Sequence, residues 1–139
     1  MLTCISVTAY PNLEFFVIVN PSSGPGAAPW WPNEDYVREI PRLNAHSNVT
    51  TVGYVRSTYC RRPWEDVVRD IESYAARSPH NAHSGLEMHG IFVDETVNLF
   101  NEEAKLYLDG LDGKVKETNG LYGNRVVRHL VLLFRIRPS

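Results

Sequence analysis

Apolar residues gather in three short runs, Leu13 to Asn20 (LEFFVIVN), Val49 to Val55 and Ile91 to Val93, and each closes on polar residues. Short apolar runs without regular alternation suit strands of a parallel sheet, which helices cover and water does not reach. Between the runs the spacing becomes helical. Tyr36, Val37, Ile40 and Leu43 follow Asn33, a candidate cap with Glu34 and Asp35 in the first turn. Pro41 is expected to kink or interrupt that helix. Trp64, Val67, Val68, Ile71, Tyr74 and Ala75 form one apolar face after Pro63, which suits the first helical position, and Ser78-Pro79 ends the element. Val97, Phe100, Ala104, Tyr107 and Leu108 predict a further helix from near Val97 to Gly110. Strands alternating with helices make βαβ units with parallel strands and right-handed crossovers, so the fold class is α/β. The run from Arg125 to Phe134 offers a fourth strand.

In such folds ligands gather at the carboxyl ends of the strands. The run His89 to Val93 leads there into two adjacent carboxylates, Asp94 and Glu95. Their competing reading is structural: Asp94 or Thr96 caps a helix beginning near Val97, and Glu95 is a solvated acid of its first turn. The second run ends on Arg56, Ser57, Thr58, Tyr59, Arg61 and Arg62. Tyr54 and Tyr59 carry rings able to stack on a sugar, although Tyr54 lies within the strand and reads more readily as core. After Asn20 comes Pro21-Ser22-Ser23-Gly24-Pro25-Gly26, a loop that lacks both the Gly-Lys-Ser/Thr of a P-loop and the GxGxxG of a dinucleotide site. Its two prolines also remove N–H donors that an anion would need.

At 139 residues, 43% hydrophobic and 22% charged, the chain has the composition of one globular domain. A net charge of −2 provides no electrostatic footprint for nucleic acid, so none is expected as a partner. Cys4 and Cys60 form neither a disulfide framework nor a CxxC motif. His80, His83 and His89 lack a well-placed carboxylate, and no metal site is expected. The N-terminus has no basic leader, and no stretch approaches the ~20 apolar residues of a membrane span.

At Asn20 to Gly26, at Gly53-Tyr54-Val55-Arg56-Ser57-Thr58-Tyr59 and at Gly90-Ile91-Phe92-Val93-Asp94-Glu95, the chain resembles the spherulation-specific family 4, or spherulin-4-like, proteins. The resemblance spans roughly residues 13 to 100, with a family-like core to about 123 and a tail from 124 to 139 that departs from the pattern. It implies a (β/α)8 TIM-type barrel of parallel strands, here a partial one with three to four βα units. The implied activity is glycoside hydrolysis of α-1,4-linked galactosamine or N-acetylgalactosamine polymers at fungal cell surfaces, without a cofactor. An extracellular or cell-surface location goes with it. By the same resemblance Asp94 is catalytic with Glu95 beside it, and Asn20, Ser57, Tyr59 and Arg62 bind substrate.

Two departures stand out in the second motif. Ser57 replaces the family's usual threonine, and Cys60 its usual glycine, which strains the loop wherever a positive φ is required. A whole barrel of this type takes ~250 residues, so the chain reads as a fragment. The family's second catalytic carboxylate, carried on a later strand, has no counterpart. Glycoside hydrolysis needs two such groups, so the fragment is expected to be inactive alone. A non-catalytic carbohydrate-binding protein and a truncated structural relative are the alternatives.

Overall fold

The computed structural model describes residues 4–27, 31, 33–77, 85–97, 99, 101–128 and 134–136, with the side chains of 4–6, 124–125 and 134–136 left aside. Within these residues the order is α1 (Cys4–Ala9), β1 (Phe15–Val19), α2 (Glu34–Asn44), β2 (Val49–Arg56), α3 (Trp64–Ala76), β3 (Met88–Asp94), α4 (Glu102–Glu117), β4 (Leu121–Val127) and β5 (Phe134–Ile136).

All five strands are parallel, in the order β4-β3-β2-β1-β5. From β1 to β4 the chain steps across the sheet without reversing. Successive right-handed crossovers in one direction place their helices on one face, which is the arrangement of a (β/α)8 barrel and not of a doubly wound sheet.

Strand alternation divides the apolar residues accordingly. Val17, Val19, Val55, Ile91 and Val93 pack with Ile40, Ile71, Leu111 and Val115 of the helices in the larger core. Ile18, Val52, Tyr54 and Phe92 form a smaller cluster on the opposite, inner face, joined by Phe16 and Val127. Thr51 is buried on the helix-covered face with Val49 and Val55, and its hydroxyl is satisfied by Oδ1 of Asn44 of α2 at 2.8 Å.

One glycine is dictated by close approach. A Cβ on Gly53 would lie 2.6 Å from the Tyr74 ring, so only glycine lets that ring lie against β2. The ring in turn fixes how α3 sits on the sheet.

Several local expectations hold. Asn33 caps α2, accepting from the Asp35 amide at 2.9 Å, and β3 delivers Asp94 as its last residue. Others need correction. Pro41 does not interrupt α2, which continues to Asn44; the proline lies over Gly85, and the Asn44 side chain ties the helix end to the Gly85 and Glu87 carbonyls. Pro63 is the N-cap residue of α3, with a non-helical ψ of 134°, and is not its first helical residue. The helix expected from Val97 starts at Glu102 under an Asn101 cap, which removes the capping reading of Asp94 and Thr96. It also passes through Gly110, its expected end, and continues to Glu117. The fourth strand begins at Leu121, ahead of the run that suggested it. Of the segment after Gly123, residues 124–127 complete β4 and Phe134–Ile136 pairs with β1. Ser78, Pro79, His80 and His83 lie outside the described residues.

Candidate active site

The carboxyl ends of β1, β2 and β3 lie side by side, with Arg56 in register with Asp94. Tyr54 pairs with Phe92 on the inner face, so two residues further along β3 Asp94 is its diagonal neighbour. The Tyr54 hydroxyl donates to Oδ2 of Asp94 at 2.6 Å. This contact fixes the rotamer of a half-buried carboxylate, and Oδ1 takes no hydrogen bond among the described residues.

Alternation would turn Glu95 to the other face. It does not apply, because the strand ends at Asp94 and Glu95 takes a left-handed φ of 56°. The Glu95 carbonyl then accepts from the Tyr59 amide at 2.6 Å and from the Ser57 hydroxyl at 2.9 Å. The β2–α3 loop is therefore fastened directly to the acid pair.

That loop is strained. Thr58, Tyr59 and Cys60 follow one another at φ 49°, 56° and 64°, each costing on the order of 1 kcal/mol for a residue with a Cβ. The strain foreseen at Cys60 is thus real. Ser57 offsets it: buried completely, its hydroxyl reaches the Asp94 and Glu95 carbonyls and receives the Cys60 amide at 3.3 Å. The hydroxyl of Ser57, a residue expected to bind substrate, thus holds the backbone of both strand ends. Arg62 also turns inward, to Asp70 Oδ2 at 2.6 Å and the Arg56 carbonyl at 3.2 Å, with only 14% of its side chain exposed. Tyr59 faces solvent. Asn20 shapes its own loop, Oδ1 accepting from the Gly24 amide at 3.1 Å.

Beneath these loops α3 presents Asp70, Tyr74 and Arg77 at i, i+4 and i+7, one stripe of the helix. Asp70 holds Arg62. The Tyr74 hydroxyl lies within hydrogen-bond distance of the Tyr54 carbonyl at 2.9 Å and the Val19 carbonyl at 3.2 Å, linking the ends of β1 and β2. Arg77 is fully buried, 4.4 Å above the Trp31 ring, and donates to the Pro25 carbonyl at 2.6 Å. Burial pushes the Tyr74 phenol well above its usual range and lowers the Arg77 guanidinium. Burial, with the nearby Cys60 thiol, also raises Tyr107, whose hydroxyl donates to the Arg62 carbonyl at 2.9 Å.

Sequence reasoning placed the acid pair correctly at a strand end but passed over Tyr54 as core. The signal was present, since Tyr54 shares its parity with Arg56 and so points to the face on which a strand-end ligand would lie. No group of three or more His, Cys, Asp or Glu residues among the described ones is arranged to hold a metal.

The profile of the spherulation-specific family 4 matches residues 3–130. The chain belongs to this family. It is 35% identical over 91 residues to Spherulin-4 of Physarum polycephalum, a match covering 66% of this chain and 24% of the relative. Among solved structures, Sph3 of Aspergillus clavatus, crystallised in complex with GalNAc, matches with a TM-score of 0.83 and 40% identity over 88% of this chain. The chain spans about half of the Sph3 chain, 48%, and a smaller part of the Physarum relative. Sph3 is a TIM-type barrel, and the singly wound sheet described above is the corresponding part of one. Family membership and glycoside hydrolase-like architecture follow together.

Proposed function

We propose that this chain forms the Asp94-bearing part of a glycoside hydrolase that acts on polysaccharide containing galactosamine or N-acetylgalactosamine. The supporting observation is the Tyr54–Asp94 pair at the carboxyl end of the sheet, in a chain 40% identical over 88% of its length to a protein solved with GalNAc. A sugar unit would sit over the inner-face ends of β2 and β3, with Oδ1 of Asp94 toward it. A hydroxyl donor at 2.6 Å suits an oxygen carrying negative charge, so Asp94 takes the ionised role of nucleophile or base. The protonated partner should stand ~5–5.5 Å away for retention or ~6.5–9.5 Å away for inversion. Glu95 is adjacent in sequence, and the described ends of β1, β2 and β4 carry Asn20, Arg56 and Arg128, none of them an acid. The carboxyl pair is therefore incomplete within these strands. An extracellular or cell-surface location goes with such a substrate.

The test is to titrate the purified chain with GalNAc and then incubate it with the polymer. Binding without turnover is expected, and Asp94→Asn should weaken binding. No measurable affinity for GalNAc would overturn the reading. Turnover abolished by Asp94→Asn would show instead that Asp94 and Glu95 suffice.

A further inference from the structure

We propose that Trp64 is the platform of a second sugar subsite, taking a ring of the polysaccharide chain beyond the unit held at Asp94; this rests on the reading above. Trp64 opens α3 directly after the β2–α3 loop, on the same rim of the sheet as Tyr59 and Asp94. More than a third of it, 37%, is exposed, yet its indole is firmly seated. Tyr107 meets it edge-on, with centroids 5.8 Å apart and planes at 85°. The Tyr107 hydroxyl is itself pinned to the Arg62 carbonyl.

The third element of the seat is Gly110. In the middle of α4 a glycine costs about 1 kcal/mol relative to alanine. Here it leaves room for the ring, since a Cβ would come within 3.1 Å of Cη2 and 3.4 Å of Cζ3 of Trp64. An ordinary surface tryptophan does not need such accommodation. A ring already immobilised loses little entropy when a ligand stacks on it.

The occupant follows from chemistry and position. The strands β2 and β3 and the helices α3 and α4 around Trp64 are all described, and they leave its outer surface open. Arg61 and Glu65, both exposed, stand close to it in the sequence and offer a donor and an acceptor. An apolar ring face bordered by hydrogen-bonding groups matches a pyranose, which is apolar on one face and rimmed with hydroxyls. The loop leading to Trp64 is bonded to the Glu95 carbonyl through the Tyr59 amide, which places the start of α3 and the acid pair at the same, carboxyl end of the sheet.

The experiment compares GalNAc with a soluble oligomer of α-1,4-linked N-acetylgalactosamine, measuring dissociation constants for the unmodified chain, Trp64→Ala and Gly110→Ala. The unmodified chain should bind the oligomer more tightly than the monosaccharide. In Trp64→Ala the ratio of oligomer to monosaccharide affinity should fall about tenfold, the scale of one lost aromatic contact. Gly110→Ala, which crowds the indole while improving helix propensity, should lower the same ratio without lowering the Tm. An unchanged ratio in both variants would overturn the subsite. If the unmodified chain bound neither sugar, the reading under Proposed function would fall and the subsite with it.

Discussion

The Tyr54 hydroxyl reaches Oδ2 of Asp94 from the neighbouring strand at 2.6 Å, so the orientation of the candidate catalytic carboxylate is set by a residue of the inner apolar cluster. The phenol ring packs with Phe92, centroids 6.1 Å apart, and this packing survives loss of the oxygen. Tyr54→Phe should therefore change stability by no more than about 1 kcal/mol, the net value of a typical hydrogen bond. Affinity for GalNAc should drop several-fold, because Asp94 is then free to choose among rotamers. Titration alongside thermal melting checks both halves. Unchanged affinity with unchanged melting would remove Tyr54 from the site.

The Tyr74 hydroxyl ties together the ends of β1 and β2, and its ring occupies the space where Gly53 lacks a side chain. Gly53→Ala should destabilise the chain by about 1–3 kcal/mol through overpacking, since ring and strand are both confined. Burial also raises the Tyr74 phenol above its ordinary 10.0. A folded-state pKa above the unfolded one leaves stability complete below the unfolded value and removes it as pH climbs past that point. Melting temperature should thus decline from about pH 10 upward, and Tyr74→Phe should flatten the decline relative to the unmodified chain. Tyr36 and Tyr107, also raised by burial, contribute in the same direction and set what remains.

The legible parts of the sequence were the local ones. Three apolar runs, the Asn33 cap and the Asp94-Glu95 pair report short-range preferences, and each emerges where its residues stand. What escaped depended on distant partners. Gly110 reads as a helix end until Trp64 is known to lie against it, and Pro41 reads as a break until α2 is seen anchored to the Gly85 and Glu87 carbonyls. The resemblance offers Ser57 and Arg62 as substrate ligands, and no local pattern shows that they also serve carbonyls at the end of β3 and a carboxylate of α3. The three consecutive left-handed residues after Ser57 leave no mark in residue type, as none is glycine, asparagine or aspartate.

The Arg62–Asp70 pair is the remaining link between α3 and the strained loop. Its side chains are 14% and 16% exposed, so the charges are poorly screened. Asp70→Asn would leave the guanidinium largely buried beside a weaker acceptor, and loss of one partner from such a pair costs about 3 kcal/mol. Arg62→Met keeps much of the aliphatic bulk but also frees the Arg56 carbonyl, and Asp70 would then be the uncompensated charge. In Arg62→Met/Asp70→Asn together neither charge remains, so the double variant should be more stable than the sum of the single losses predicts. Sugar affinity should follow a different order. Any variant lacking Arg62 loosens the turn that carries Tyr59 to the Glu95 carbonyl, so the double variant should regain melting temperature without regaining GalNAc affinity. A four-cornered cycle of melts and titrations separates the two effects. Strict additivity in the melts would show the pair uncoupled, and full recovery of affinity in the double variant would show that Arg62 does not position the loop.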